Sequence, residues 1–257
     1  MIDPTPATDR PATFQRRPQK MATLLAQRIV GEITDGGLQP GALMRSERDM
    51  LEEYGVARGT LREALRYLEI QGVLTIRPGP GGGPTVNAVE PRSLASVIAL
   101  LLQLSETPFS TILEARQVLE PATAAMATQH ALPTHIAALE QSIESMSAAL
   151  KDASTFLAEN RSFHNIIANA ADNRLFELLL QSLSWITDAT ALGVTYGDQH
   201  RRGILKAHET IYDAIVARDP EAAGEAMRVH MDEFHRYITR HYSAILDKPL
   251  RWDETTL

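Results

Sequence analysis

Apolar residues recur along this chain with one period for most of its length, and break from it in one short stretch. Between residues 46 and 71 two brief helical patterns follow each other. Met50, Leu51 and Tyr54 make a small stripe on the first. Leu61, Ala64, Leu65 and Leu68 recur at i, i+3, i+4 and i+7 on the second, which marks its buried face. Ser46, answered by Asp49 three residues on, suits an N-cap, and Gly55 suits the residue that ends a helix. The second helix is predicted from Arg58, with Arg58, Gly59, Thr60 and Arg62 left on its outer N-terminal end. Upstream, residues 21–33 read as a helix with Leu24, Leu25, Ile29 and Ile33 on one side. Downstream, Val73-Leu74-Thr75-Ile76 is strand-like, and the glycine- and proline-rich run from Arg77 to Pro84 makes a tight loop before Thr85-Val86.

From there on only helical periodicity is visible, in segments near 92–105, 108–130, 133–151, 154–170, 173–191, 203–217 and 220–243. Pro108, Pro133 and Pro220 each suit a first helical turn, and Ser154 and Asn173 suit N-caps. With no strand alternation, this part is predicted to be an all-α bundle. The chain is thus mostly α: a tail over 1–18, a small domain over 19–87 with a two-stranded wing, a linker over 88–92, a helical domain over 93–245 and a tail over 246–257.

Two helices joined by a glycine-containing turn, with a basic end on the second, make a helix-turn-helix. Its second helix enters the major groove with its N-terminal residues. The following hairpin is a wing, whose backbone carries little bulk near Gly79 and can approach a sugar-phosphate surface. A net charge of -7 looks wrong for a DNA binder until it is divided. Residues 1–87 hold 11 Lys+Arg against 10 Asp+Glu, and the remainder holds 14 against 22 together with all eight His. The acidity belongs to the helical part, and phosphate binding depends on local basic clusters. Arg10, Arg16, Arg17 and Lys20 read as a solvated tail that could also touch DNA. The absence of Cys excludes disulfides and thiolate metal sites, no apolar run reaches the roughly 18 residues of a membrane span, and the first residues lack a secretory core. The expected location is the cytoplasm.

The motif carried by Pro40-Gly41-Ala42-Leu43, Ser46-Glu47-Arg48-Asp49, Gly55-Val56, Arg58-Gly59-Thr60, Arg62-Glu63-Ala64-Leu65, Leu68-Glu69 and Gly72 resembles the winged-helix domain of the GntR family of bacterial transcription regulators. It covers about a quarter of the chain. Ala57 departs from it, since the family usually has Ser or Thr there as N-cap of the recognition helix. The missing cap costs about 1 kcal/mol, unless phosphate takes over the free N–H groups.

In the helical part, Asn160 and His164 stand one turn apart, and His208 and His230 sit near the apolar stripes of two later helices. Three imidazoles and an amide oxygen converging in a bundle would make a shell for a divalent ion. Spacing alone leaves open whether they converge or are separate, hydrogen-bonded core histidines. The phrases 114–122, Phe163-His164, 171–175, His208-x-x-Ile211-x-x-Ala214-Ile215 and Ala226-Met227-x-x-His230 resemble the ligand-binding (FCD) domain of FadR-type GntR regulators. That resemblance implies a metal, zinc or a similar ion, on Asn160, His164, His208 and His230, and Arg116 meeting the carboxylate of a small organic acid. Asn160 stands where Asp is commoner; a neutral amide is the weaker ligand and leaves more of the ion's charge for an anionic effector. Arg116 could instead form an i, i+4 surface pair with Glu120. His130, His135, His200, His235 and His241 read as solvated, and Trp185 and Tyr212 as core or pocket wall.

The reading that follows is a regulator and not an enzyme: a homodimer on a two-fold double-stranded operator, read by Arg48, Arg58, Gly59, Thr60, Arg62 and Gly79, with repression as the family's usual mode. A metalloenzyme with a DNA-binding appendage lacks a placed general base, since His208-Glu209 has no second His at HExxH spacing. An architectural DNA-binding protein with a purely structural bundle remains the other alternative.

Overall fold

A computed structural model describes residues 16–79, 81–88, 90–187 and 194–252. The chain divides into two compact units after Glu90. Of the expected N-terminal tail, residues 1–15 lie outside the described residues, while 16–18 already belong to a helix.

In the first unit, α1 (Arg16–Asp35), α2 (Glu47–Tyr54) and α3 (Arg58–Ile70) precede β1 (Leu74–Arg77) and β2 (Gly83–Val86). Ala22, Leu25 and Ile29 of α1, Met50 of α2, the expected four residues of α3, and Leu74 form one buried core. Leu24 departs from expectation: it faces outward, because α3 covers the side of α1 that carries Ala22, Leu25 and Ile29. The Ser46 hydroxyl accepts from the Asp49 amide at 3.3 Å and donates to its carboxylate at 2.7 Å. Gly55 ends α2 at φ 61°, a left-handed conformation that glycine adopts without strain. Arg45 ties α1 to α2 through Glu32 and Glu53, and Tyr54 donates to Glu32 at 2.7 Å. The two strands pair antiparallel from Leu74↔Val86 to Arg77↔Gly83. Only glycine fits at position 82 of the turn, where a Cβ would lie 2.2 Å from the Arg77 carbonyl oxygen.

The second unit, among the described residues, consists of α4 (Pro91–Leu104), α5 (Ser110–His130), α6 (Pro133–Ala148), α7 (Ala153–Ala170), α8 (Arg174–Ile186), α9 (Asp198–Val216) and α10 (Pro220–Leu246). α5 packs along α10, α6 along α7, α4 along α8 and α9 against α10. Phe156, Leu113, Met146 and Ile186 anchor one core cluster, and Phe163, Leu139, Ile211 and Met227 a second. Asn173 caps α8, accepting from the Leu175 and Phe176 amides. At α7 the cap is Asp152 rather than Ser154, because the carboxylate reaches back to the Ser154 and Thr155 amides. Pro133 and Pro220 open their helices. Pro108 does not: it pairs with Pro249 in a short bridge ahead of α5. The expected C-terminal tail therefore folds back as far as residue 252. Leu250 is buried and the Trp252 indole donates to Ser96 at 2.7 Å. The helix expected to run to residue 191 ends at Ile186, and residues 188–193 lie outside the described residues.

Candidate functional site

The sequence singles out two sets of residues, one in each unit. In the first, α3 starts at Arg58 behind an extended Ala57 that offers no side-chain cap. Its first amides therefore point outward at the positive end of the helix dipole, a ready site for a phosphate oxygen. Arg58 and Gly59 are exposed and Thr60 is half-buried. A Cβ at Gly59 would meet nothing within 4 Å, so the glycine answers no internal crowding and leaves room outside the helix. The Arg62 side chain, 66% exposed, reaches Glu47 at 3.4 Å. That of Arg48 is 91% exposed and lies 3.5 Å from Asp49. Gly79 is exposed in the hairpin turn. Sequence reasoning passed over Arg66, exposed one turn beyond Arg62, and Arg77, exposed where β1 meets the turn. The i, i+4 spacing of Arg62 and Arg66 was the available signal.

In the second unit, α5 carries Arg116 and Glu120, α7 carries Asn160 and His164, α9 carries His208 and α10 carries His230. The three histidines come together and are buried. His230 Nε2 stands 3.3 Å from His208 Nε2 and 3.3 Å from His164 Nε2. Two nitrogens held at about 2.0–2.1 Å by one tetrahedral ion lie roughly 3.3–3.4 Å apart, so the spacing fits a shared divalent cation. The Phe163 ring lies flat against His208, with centroids 3.9 Å apart, and fixes that imidazole.

Glu120 does the same for His164, through a short hydrogen bond to Nδ1. With a carboxylate on Nδ1, that nitrogen carries the proton and Nε2 turns its lone pair to the cluster, the usual arrangement behind a metal-bound histidine. Burial favours protonation of Glu120, but the Arg116 guanidinium and the hydrogen bond from His164 outweigh it and hold the carboxyl well below the usual range. Burial and the other two rings push His208 far down. His230 is lowered to about 3, first by burial and then by His164. Neutral rings with free lone pairs are what a cation requires. Asn160 Oδ1 is a buried acceptor without a donor, and it lines the same cavity as His164 and His230. The residues present thus fit a divalent ion.

The Arg116–Glu120 pair exists, at 2.6 Å, but it is not a surface pair: both residues are buried, because α7 and α10 close over this face of α5. Arg116 also donates to Thr187 at 2.9 Å and borders a cavity of about 170 Å³. His200 is not solvated either. It is half-buried, lines that cavity and stacks on Tyr237 at 3.8 Å. His235 is half-buried with Nδ1 enclosed, whereas His130 and His241 are exposed. Two guanidiniums pack over the Trp185 ring, Arg92 at 5.7 Å and Arg161 at 5.8 Å.

Two family models match this chain: bacterial regulatory proteins of the gntR family over residues 22–82, and the FCD domain over residues 111–233. The chain belongs to the GntR family. Its FCD domain places this GntR regulator with the FadR-like members. YcbG, an uncharacterized HTH-type transcriptional regulator of Bacillus subtilis (strain 168), is 28% identical over 90% of this chain and 91% of its own length. A putative L-lactate dehydrogenase operon regulatory protein of Escherichia coli (strain K12) is 27% identical over 87% and 88%. The HTH-type transcriptional repressor NanR of Edwardsiella tarda (strain FL6-60) is 25% identical over 90% and 92%. The solved structure of Streptococcus agalactiae GntR aligns with a TM-score of 0.63 at 25% identity, over 84% of this chain and 99% of that one. This GntR regulator is accordingly a transcription factor and not an enzyme, with a DNA-binding unit and an effector-binding helical domain. Among the described residues no helix is long and apolar enough to cross a membrane.

Proposed function

We propose that the chain is a cytoplasmic repressor that holds a two-fold operator as a homodimer and changes its hold when a small organic acid binds, with a divalent ion, in the helical unit. The observation that carries this reading is the convergence of three imidazole Nε2 atoms, one oriented by a buried carboxylate, with His164 and His230 lining a cavity of about 170 Å³ that Arg116 also borders. His164, His208 and His230 would hold the ion through Nε2, and Asn160 through Oδ1. Bound there, a divalent ion supplies a Lewis-acidic centre for a carboxylate oxygen. Arg116 meets that carboxylate with its guanidinium, and Asn160, being neutral, leaves charge for the acid to balance. Two relatives' names fit such a role, one a repressor and one a regulator of an L-lactate dehydrogenase operon.

On the DNA side, Arg48, Arg58 and Arg62 contact bases or phosphates, while Gly59, Thr60 and Gly79 let the backbone close in. One short helix reads only a few base pairs, so two copies related by symmetry multiply both the information and the phosphate contacts. A path between the functions starts at Arg161, which borders the cavity and packs over Trp185. Arg92 packs over the same ring in the first turn of α4, directly after the division between the units. An acid that draws on Arg161 thereby disturbs Arg92, at the end of the expected linker.

Elemental analysis of the purified protein, with melting curves before and after chelator, tests the metal reading. About one divalent ion per chain and a melting temperature that falls on chelation and recovers on re-addition are expected. A metal-free protein whose melting ignores both chelator and added zinc would overturn it.

A further inference from the structure

We infer that the exposed face of α4, widened by the C-terminal Trp252, is where a second copy of this chain docks, the two α4 helices running antiparallel across a two-fold axis. The inference rests on the homodimer reading above and names the surface that joins the copies.

One side of α4 belongs to the core. Ala95 and Ala99 are buried, Ile98 and Leu102 pack on the same cluster, and α8 lies along the helix. The other side carries Val97, Leu100, Leu101 and Leu104, at i, i+3, i+4 and i+7, with 52%, 38%, 59% and 74% of their surface exposed. That is a second apolar stripe on a helix whose first is already covered. By contrast, α5, α9 and α10 each expose one large apolar residue, Val118, Val216 and Val229. The end of the chain widens the stripe. Leu250 is buried, and Trp252 spans one flank of α4, its amide donating to the Gln103 side-chain oxygen at 2.6 Å and its indole to Ser96 at 2.7 Å. Leu100 stands between those two residues along the same flank, so the ring lies beside it. The tryptophan is itself 42% exposed.

Five such side chains leave an apolar patch on the order of 400 Å², the size that marks a binding face. A homodimer partner buries roughly 800 Å², about 65% of it apolar. The patch therefore fills most of the apolar centre, and Ser93, Gln103 and Ser105 supply a polar rim. Charge selects the occupant. From Ser93 to Ser105 no residue is charged, although residues 88–257 hold 14 Lys+Arg against 22 Asp+Glu. Two acidic copies repel except where they meet on a neutral face, and a two-fold contact uses the same face twice. An anionic lipid surface would be repelled as well, and a helix that lies on one carries Lys or Arg along its polar face, which α4 lacks beyond Arg92. Orientation follows from the ends of the stripe. Arg92 stands in the first turn and Glu106 just past the last, both exposed. Antiparallel pairing brings these opposite charges together, whereas parallel pairing sets like against like.

The test uses the full-length protein. In analytical ultracentrifugation at micromolar concentration the parent should sediment as a dimer. Leu101→Glu combined with Leu104→Glu puts charge into the apolar centre and should raise the dimer dissociation constant at least about hundredfold, with the helical circular dichroism unchanged. Leu175→Glu, at an exposed apolar site on α8, should leave the dimer intact. A second readout does not depend on how the charged variant folds. The chain has no Cys, so Leu101→Cys places a single thiol near the axis. Mild oxidation should link two chains through it and not through Leu175→Cys. A double variant that dimerises like the parent, or Leu101→Cys that links no more than Leu175→Cys, overturns the inference and leaves the homodimer reading to another face. A monomeric parent overturns both, whether the face then takes anionic vesicles, read by co-sedimentation, or nothing.

Discussion

The two units carry their chemistry in opposite ways. In the first, Arg58, Gly59 and Arg62 sit exposed on the outer end of α3, with Arg48 exposed on α2 and Gly79 in the hairpin turn, and none of them belongs to the core beneath. In the second, Arg116, Glu120, Asn160, His164, His208 and His230 come from four helices up to 114 residues apart and lie at or inside the core. A reading surface must be free to touch its partner. A small-molecule pocket needs dry, fixed groups, and burying charge demands that each be paired. Function and stability therefore separate in one unit and merge in the other.

The comparison can be broken in order of expected effect. Glu120→Ala removes the carboxylate that pairs two buried groups and should cost the helical unit about 3–5 kcal/mol. Urea unfolding followed by Trp185 and Trp252 fluorescence reads this, and a loss below about 1 kcal/mol would show the pair to be dispensable. Arg58→Ala and Arg62→Ala should each weaken DNA binding by about 1–3 kcal/mol and flatten its salt dependence, with no change in the unfolding midpoint. A destabilised variant would mean that the reading surface is also structural. Smallest is Ala57→Ser, which supplies the cap α3 lacks. It should stabilise the first unit by about 1 kcal/mol, measured by hydrogen exchange of α3 amides, unless the free N–H groups were already satisfied.

What was legible in the sequence follows the same division. The buried face of α3 could be read because all four residues obey one local period, and the Ser46 and Gly55 caps because they act within a turn. Leu24 could not, since α1 is apolar on both sides and only the packing of α3 decides which side is covered. The histidines were visible by kind, but their meeting depends on how α7, α9 and α10 cross. Glu120 looked like a solvent-facing partner of Arg116 because i, i+4 spacing says nothing of what lies above a helix. His200 was hidden for a different reason: it precedes the periodic segment near 203–217 and lies off the family phrases, whereas the helix begins at Asp198 and carries it in the first turn.

The most direct test of the central claim is the affinity for an operator fragment at fixed salt, measured with and without a saturating acid that the helical unit binds. The expected result is a shift of at least about fivefold, the low end of a coupling between two sites. It should vanish in Arg116→Lys, which keeps a cation beside Glu120 but loses the guanidinium fork, while affinity for the operator without acid stays at the parent's level. An acid that occupies the cavity while operator affinity stays unmoved would contradict the account.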